Sequence, residues 1–182
     1  MNIEQTLASL TAGAELISVK VAENSLPSKP GLYAIFIDDS NSLPEPFATY
    51  LKKRRTNLIY VGKTTDSLFS RLFEQDLRHK SPSTFFRAIG PILGYRPPKG
   101  SLVGKKNQNN YKFSTADTQA IIGWINKHLS MRYVTMSADE ATSLEPSAIT
   151  TLRPLLNTQH NPDALPEIAR LRDECRKIAT SM

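Results

Sequence analysis

Two stretches dense in β-branched and aromatic residues, GLYAIFI from Gly31 and LIYVGKT from Leu58, constrain this chain more than any other feature. Such residues suit a pleated, half-buried surface, so strands are read over 31–37 and 58–63. Pro27 and Pro30 mark a loop leading into the first. The segment 38–57 between them reads as an insertion, turn-rich at first and then basic and helix-compatible in YLKKRRTN. Each strand carries a tyrosine next to or near a glycine, Tyr33 after Gly31 and Tyr60 before Gly62.

Helical periodicity organises most of the remainder. Residues 67–78 place Leu68, Phe69, Leu72, Phe73 and Leu77 on one side, with Asp66 as N-cap. A helix begins after Pro82, with Phe85, Phe86 and Ile89 inward, and Gly90–Pro91 should interrupt it. Residues 96–115 are poor in apolar side chains and read as a long mobile loop. A helix over 117–129 buries Ile121, Ile122, Ile125 and Leu129, and a third strand covers 132–136. Ser137 and Glu140 have capping-box spacing for the next helix. A final helix at about 165–180 carries Ile168, Leu171, Cys175 and Ile178 in one stripe. A short helix over 3–10 and a strand over 15–21 precede the core. The lone Cys175 excludes an internal disulfide and reads as a small core residue in a reducing, cytoplasmic setting. No apolar run has the length of a membrane span, and no basic start followed by an apolar stretch marks a secretory signal.

The net charge of +6 is unevenly placed. Residues 50–112 hold fourteen Lys and Arg against Asp66, Glu74 and Asp76, an excess of +11, whereas the rest of the chain is net −5. A basic stretch of this kind suits a polyanionic partner, nucleic acid above all, the other reading being a solvated surface. Neither zinc spacing of Cys and His nor a nucleotide-triphosphate loop is present: GKTT at Gly62 lacks the glycine needed five positions earlier, where Asn57 stands.

In order along the chain, Gly31–Leu32–Tyr33, Tyr60–Val61–Gly62, Arg71, Glu145 and Asn157 resemble the GIY-YIG nuclease superfamily. The likeness covers about 30–157 within one domain spanning 1–182. It implies an α+β fold: a small three-stranded antiparallel sheet flanked by helices, with terminal additions and two basic insertions. Tyr33 and Tyr60 are 27 residues apart, beyond the family's usual short turn. Looping out 38–57 would still let the strands pair, because each doubling of loop length costs only about 0.6 kcal/mol.

The resemblance assigns roles residue by residue. Tyr33 activates the attacking water, although a phenol with a pKa of about 10 is a poor base unaided; the other reading is a core aromatic. Tyr60 orients water or phosphate, and strict alternation puts it on one face with Leu58 and Gly62, where packing competes. Arg71 grips phosphate oxygens and offsets transition-state charge; the alternative is a surface arginine. Lys63 contacts phosphate as a point charge. Glu145 is the single acidic ligand for Mg²⁺ or Mn²⁺, water and phosphate supplying the remaining oxygens. A helix-start glutamate favoured by Pro146 competes, with Glu140 then the nearest substitute ligand. Asn157 fixes a loop or touches phosphate, or simply caps a helix. His79 stands near the arginine without matching spacing and receives no role.

Lys52, Lys53, Arg54 and Arg55 in one insertion, Lys105 and Lys106 in the other, and Arg87 on the helix between are the candidate nucleic-acid contacts. The resulting expectation is a metal-dependent endonuclease cutting phosphodiesters, DNA in preference to RNA, leaving a 3′ hydroxyl and a 5′ phosphate. Site specificity must come from the insertions, a homodimer or a protein partner. Two rivals differ in class: an inactive nucleic-acid-binding module on the same fold, and a protein-interaction domain with an acidic partner.

Overall fold

The computed structural model describes residues 2–13 and 15–182. Its centre is a four-stranded sheet in which neighbouring strands run antiparallel: β1 (Ile17–Ser18), β2 (Gly31–Ile37), β3 (Leu58–Thr64) and β4 (Leu129–Thr135), in the spatial order β1-β4-β2-β3. Three strands were expected. The fourth, β1, is two residues long, because the 15–21 stretch turns at Val19 into a 3₁₀ helix (Val19–Asn24). The central strand β2 pairs Tyr33 with Gly62 on one side and with Tyr133 on the other. All seven of its residues are buried, as a strand covered on both faces requires.

Alternation along β2 divides the core. Tyr33, Ile35 and Ile37 join a large cluster that includes Leu72, Phe85, Phe86, Ile121, Ile125 and Cys175. Leu32, Ala34 and Phe36 join a smaller cluster with Leu58, Val61, Ala148 and Ile149. The helices follow this division. α1 (Ile3–Ala12) and α5 (Ala138–Leu152) contribute to the smaller cluster, whereas α3 (Thr84–Ile92), α4 (Thr115–His128) and α6 (Pro166–Thr180) contribute to the larger one. α2 (Phe47–Arg54) lies in the insertion after β2, which therefore loops out and returns in register.

Three local features depart from the sequence expectations. First, the β2–β3 register slips so that Ile35 faces Tyr60 while Phe36 faces Leu58. Ile59 is thus the extra residue of a β-bulge. Tyr60 remains on the face of Gly62, but Leu58 moves to the opposite cluster. Second, the helix after β3 is wound as a π-helix over Phe69–Leu77. Third, α3 continues through Pro91 to Ile92. Pro91 has no N–H for the carbonyl of Arg87 four residues back, and the Tyr111 hydroxyl donates to that carbonyl instead at 2.8 Å. The loop carrying Tyr111 is docked: Leu102, Tyr111 and Phe113 are buried, and Gly100 and Leu102 donate backbone bonds to Ile178 and Ala179 of α6.

β3 would be an open edge, but the chain after α5 lies along it. Leu155 N–H donates to Leu58 O and Leu156 N–H to Ile59 O. Asn157 then engages the next backbone unit with its side-chain amide, accepting from Val61 N and donating to Val61 O, both at 2.9 Å. α5 itself ends at Leu152 with Arg153 in the left-handed conformation and Pro154 following. Asn157 is therefore not its cap; both ends of its amide hold the outer strand.

Candidate active site

The candidate site forms where β3, α5 and the 155–161 segment meet. Tyr60, Lys63, Glu145, Asn157, His160 and Arg172 line a cleft of about 340 Å³. Tyr60 is 6% exposed, and its ring lies 6.3 Å from the Tyr33 ring and 5.4 Å from Phe85, measured between centroids. Lys63 alternates with Tyr60 and Gly62, so it projects toward α5 and pairs with Glu145 at 2.9 Å. Glu145 lies within α5, which runs unbroken through Pro146 from its capping box at Ser137 and Glu140. It is thus not a helix-start glutamate. The Glu140 carboxylate accepts from the Ser137 N–H and Oγ at 3.0 and 2.9 Å, which commits it to the cap. Although α5 packs on the sheet face opposite Tyr33, Glu145 reaches the strand edge and shares the cleft with Tyr60.

Tyr33 and Arg71 lie behind this cleft rather than in its lining. Tyr33 has no solvent exposure, and its ring crosses the backbone of Gly62 so closely that a Cβ there would sit 2.4 Å from Oη. This close approach gives the glycine of the second motif its purpose. Tyr33 Oη donates to Asp76 Oδ2. The other carboxylate oxygen, Oδ1, accepts from Arg71 Nη1 at 2.5 Å and from Ser83 Oγ at 2.6 Å. Asp76 is fully buried, so a carboxylate with three donors replaces the solvation it has lost. Arg71 remains a quarter exposed and opens on a neighbouring cleft with Thr64, Asp66 and Ser70.

Sequence reasoning counted Asp76 only as a local charge. The available signal was a carboxylate on the apolar stripe of Leu72, Phe73 and Leu77, the pattern that drew notice to Glu145. π-winding, with its i to i+5 repeat, brings Arg71 and Asp76 together on one side. A regular α-helix aligns i with i+4 instead, so the expected geometry concealed the pair.

Electrostatics follow from this burial. Burial pushes the Tyr33 phenol well above its usual range, and the negative charge of Asp76 pushes it further, with Arg71 opposing. Tyr60 moves in the same direction, through burial first and then Asp76, with Arg71 opposing. Burial pulls Arg71 downward, but Tyr33 and Asp76 more than offset it, so its guanidinium stays charged. At neutral pH both phenols are therefore neutral donors and acceptors, not phenolates.

The described residues contain no cluster of three or more His, Cys, Asp or Glu able to enclose a metal. The cleft instead offers one carboxylate, Glu145, with a fifth of its side chain exposed and Lys63 as its ion-pair partner. That donor set fits Mg²⁺, which keeps several waters and accepts one or two protein carboxylates together with phosphate oxygens.

The candidate nucleic-acid contacts fall into distinct settings. Lys53, Arg55, Lys105 and Lys106 are exposed. Lys52 Nζ donates to Asn41 Oδ1 at 2.6 Å, and Arg54 is committed to the carbonyls of Arg153 and Asp163. Arg87 is buried, donating to Ser83 O at 3.1 Å, to Asn109 O, and to Asn110 Oδ1 at 2.6 Å. His79 stacks on Phe86 at 4.3 Å with its backbone left-handed, outside both clefts.

No curated protein and no solved structure matches this chain significantly. A family model described as the GIY-YIG catalytic domain matches residues 31–177, from the first residue of β2 nearly to the end of α6. That span takes in both tyrosine strands, the π-helix, the Glu145 helix and the terminal helix, and on this match the chain belongs to the GIY-YIG nuclease family.

Proposed function

We propose that this protein is a metal-dependent endonuclease that hydrolyses phosphodiester bonds, with DNA as its substrate. The observation that carries the reading is the cleft itself: a phenol, an ammonium and a carboxylate converge there, backed by the Tyr33–Asp76–Arg71 network. Glu145 would hold a Mg²⁺ or Mn²⁺ ion, which would supply Lewis-acid stabilisation of the phosphoryl oxygens. Lys63, now paired with Glu145, neutralises phosphate charge when substrate enters. Tyr60, a neutral phenol, accepts a hydrogen bond from the attacking water and orients it in line with the leaving oxygen. The water oxygen bonds to phosphorus and the bond to the 3′ oxygen breaks. The water gives up one proton as it bonds and the leaving oxygen takes one up, giving a 3′ hydroxyl and a 5′ phosphate. Tyr33 and Asp76 hold Arg71 behind the cleft, and the nuclease reading requires its exposed quarter to turn toward the phosphoryl group, whose growing negative charge it would then offset. The exposed Lys53, Arg55, Lys105 and Lys106 attract the polyanion from the insertions.

A plasmid-nicking assay with Mg²⁺ or Mn²⁺, with chelator, and with an RNA of matched length tests each part. Cleavage of DNA that requires the ion and is lost in Glu145→Gln is the expected result. Cleavage that survives chelator or Glu145→Gln would remove the metal assignment, and preferential cutting of RNA would reverse the substrate.

A further inference from the structure

The terminal helix α6 carries four basic residues, and three of them are matched. Arg170 pairs with Glu167 at 3.7 Å, Arg176 with Asp173 at 2.7 Å, and Lys177 with Asp173 at 3.3 Å. Arg172 differs: it is half-buried, yet its guanidinium has no hydrogen bond or ion pair among the described residues. A guanidinium carries five donors and is costly to withdraw from water unpaired.

Its position explains what it lacks. Arg172 lines the cleft of Tyr60, Lys63 and Glu145, and it also lines an adjoining cleft of about 270 Å³. Arg87, Asn109, Asn110 and Arg176 line that second cleft, which no carboxylate enters. Arg87 is already immobilised by Ser83 O and Asn110 Oδ1. Burial, and then the positive charge of Arg172, lowers the affinity of Arg87 for its proton, so the two cations repel without an intervening anion. Toward the other cleft, the charge of Arg172 acts on Tyr60 and favours its ionised form. Arginines facing one another across a carboxylate-free cleft that adjoins a phosphodiester site match a phosphate group, which guanidinium grips through two oxygens.

We infer that Arg172 contacts substrate phosphate and that the Arg87–Asn109–Arg172–Arg176 cleft is a second phosphate subsite. It holds the nucleic-acid backbone beside the bond to be cut. The inference rests on the nuclease reading for the identity of the polymer, and the test keeps the two apart. It places the terminal helix, distant in sequence from both tyrosine motifs, in the substrate path.

The test measures binding without cleavage, in the full chain carrying Glu145→Gln. A fluorescent 20-base-pair DNA duplex is titrated at several salt concentrations, comparing Arg172→Ala, Arg172→Lys and Lys127→Ala, the last an exposed lysine at the end of α4. Arg172→Ala should weaken binding about tenfold and reduce the slope of log affinity against log salt by about one. Arg172→Lys should recover part of the affinity, and Lys127→Ala should change it less than twofold. Because Arg172 has no hydrogen-bond or ion-pair partner to lose among the described residues, Arg172→Ala should melt within about 2 °C of its parent. If it melts lower, Arg172→Lys and its salt slope decide the matter. Unchanged affinity and slope for Arg172→Ala overturn the inference. So does loss of inorganic phosphate binding by calorimetry with DNA affinity intact, which would mark a site for a free anion. Arg172-dependent binding by a wild-type protein that never cuts would sink the nuclease reading and leave the subsite standing; Arg172-independent cutting would do the reverse.

Discussion

Replacing Asp76 with alanine is the sharpest test of how the site is built. The substitution removes one buried carboxylate and strands three donors: Tyr33 Oη, Arg71 Nη1 at 2.5 Å and Ser83 Oγ at 2.6 Å. Breaking a buried pair by deleting one partner costs about 3–5 kcal/mol. Arg71 is a quarter exposed and can turn to water, which places this case near the lower end, at about 3 kcal/mol. At about 2–4 °C per kcal/mol for a chain of this size, the melting temperature should fall by about 6–12 °C. Urea denaturation monitored by circular dichroism reads the free energy directly. Ser83→Ala, which removes one donor to Asp76 and also the N-cap of α3, where Ser83 Oγ accepts from Phe86 N at 2.9 Å, should cost about 2 kcal/mol. The double variant Asp76→Ala with Arg71→Ala should be less destabilised than the sum of the two singles by at least about 1 kcal/mol, since the partners are in contact. Cleavage should fall further than stability explains, because Arg71 loses its anchor while the cleft remains. A loss below about 1 kcal/mol for Asp76→Ala would show that the carboxylate does not tie the phenol to the guanidinium.

Two further outcomes follow from contacts already described. Gly62→Ala places a Cβ 2.4 Å from Tyr33 Oη and 2.5 Å from Cζ, in a ring pinned by Asp76. Overpacking of this kind should cost about 1–3 kcal/mol and lower nicking activity, and a wild-type melting curve would show the ring free to move aside. Burial, aided by the positive charges of Lys112 and Arg87, lowers the pKa of His79 to about 4. The folded pKa lies below the unfolded value of about 6.5, so stability is fully present above pH 6.5. It declines toward pH 4 as only the unfolded chain takes up the proton. After allowance for screening at the ring's solvent edge, the loss should be about 2 kcal/mol. His79→Asn, which suits the left-handed backbone, should flatten that part of the stability–pH curve, and an unchanged slope would assign the acid sensitivity to other groups.

The parts of the fold legible in the sequence were those set by local pattern. β2 is read at its observed limits because β-branched and aromatic density ends abruptly at Asp38, and the Ser137–Glu140 box marks the start of α5. Tyr60, Lys63, Glu145 and Asn157 line one cleft, whereas Tyr33 and Arg71, expected beside them, lie behind it. What escaped detection depends on partners distant in sequence. The Ile59 bulge exists only in the pairing of β3 with β2, so alternation along β3 alone misplaced Leu58. Pro91 reads as an interruption until Tyr111, twenty residues later, takes the carbonyl that the proline leaves vacant. Asp76 and Arg172 carry no motif; one is identified by the three donors it gathers, the other by the acceptor it lacks among the described residues.

The sheet's two borders limit how this molecule can associate. On one side β1 offers only Ile17 and Ser18, and on the other Leu155–Asn157 occupies the outer backbone of Leu58, Ile59 and Val61. Along β3 no strand-length row of amides is left among the described residues for a neighbour to extend, whereas β1 covers only Ser130 and Met131 of β4 and leaves 132–135 beside a groove. A second copy or an extended peptide would therefore have to approach the β4 border or engage helices and loops, and fibrillar stacking through β3 would first require peeling away the segment that also shapes the candidate cleft. Protection of the β3 border and integrity of that cleft thus depend on the same few residues.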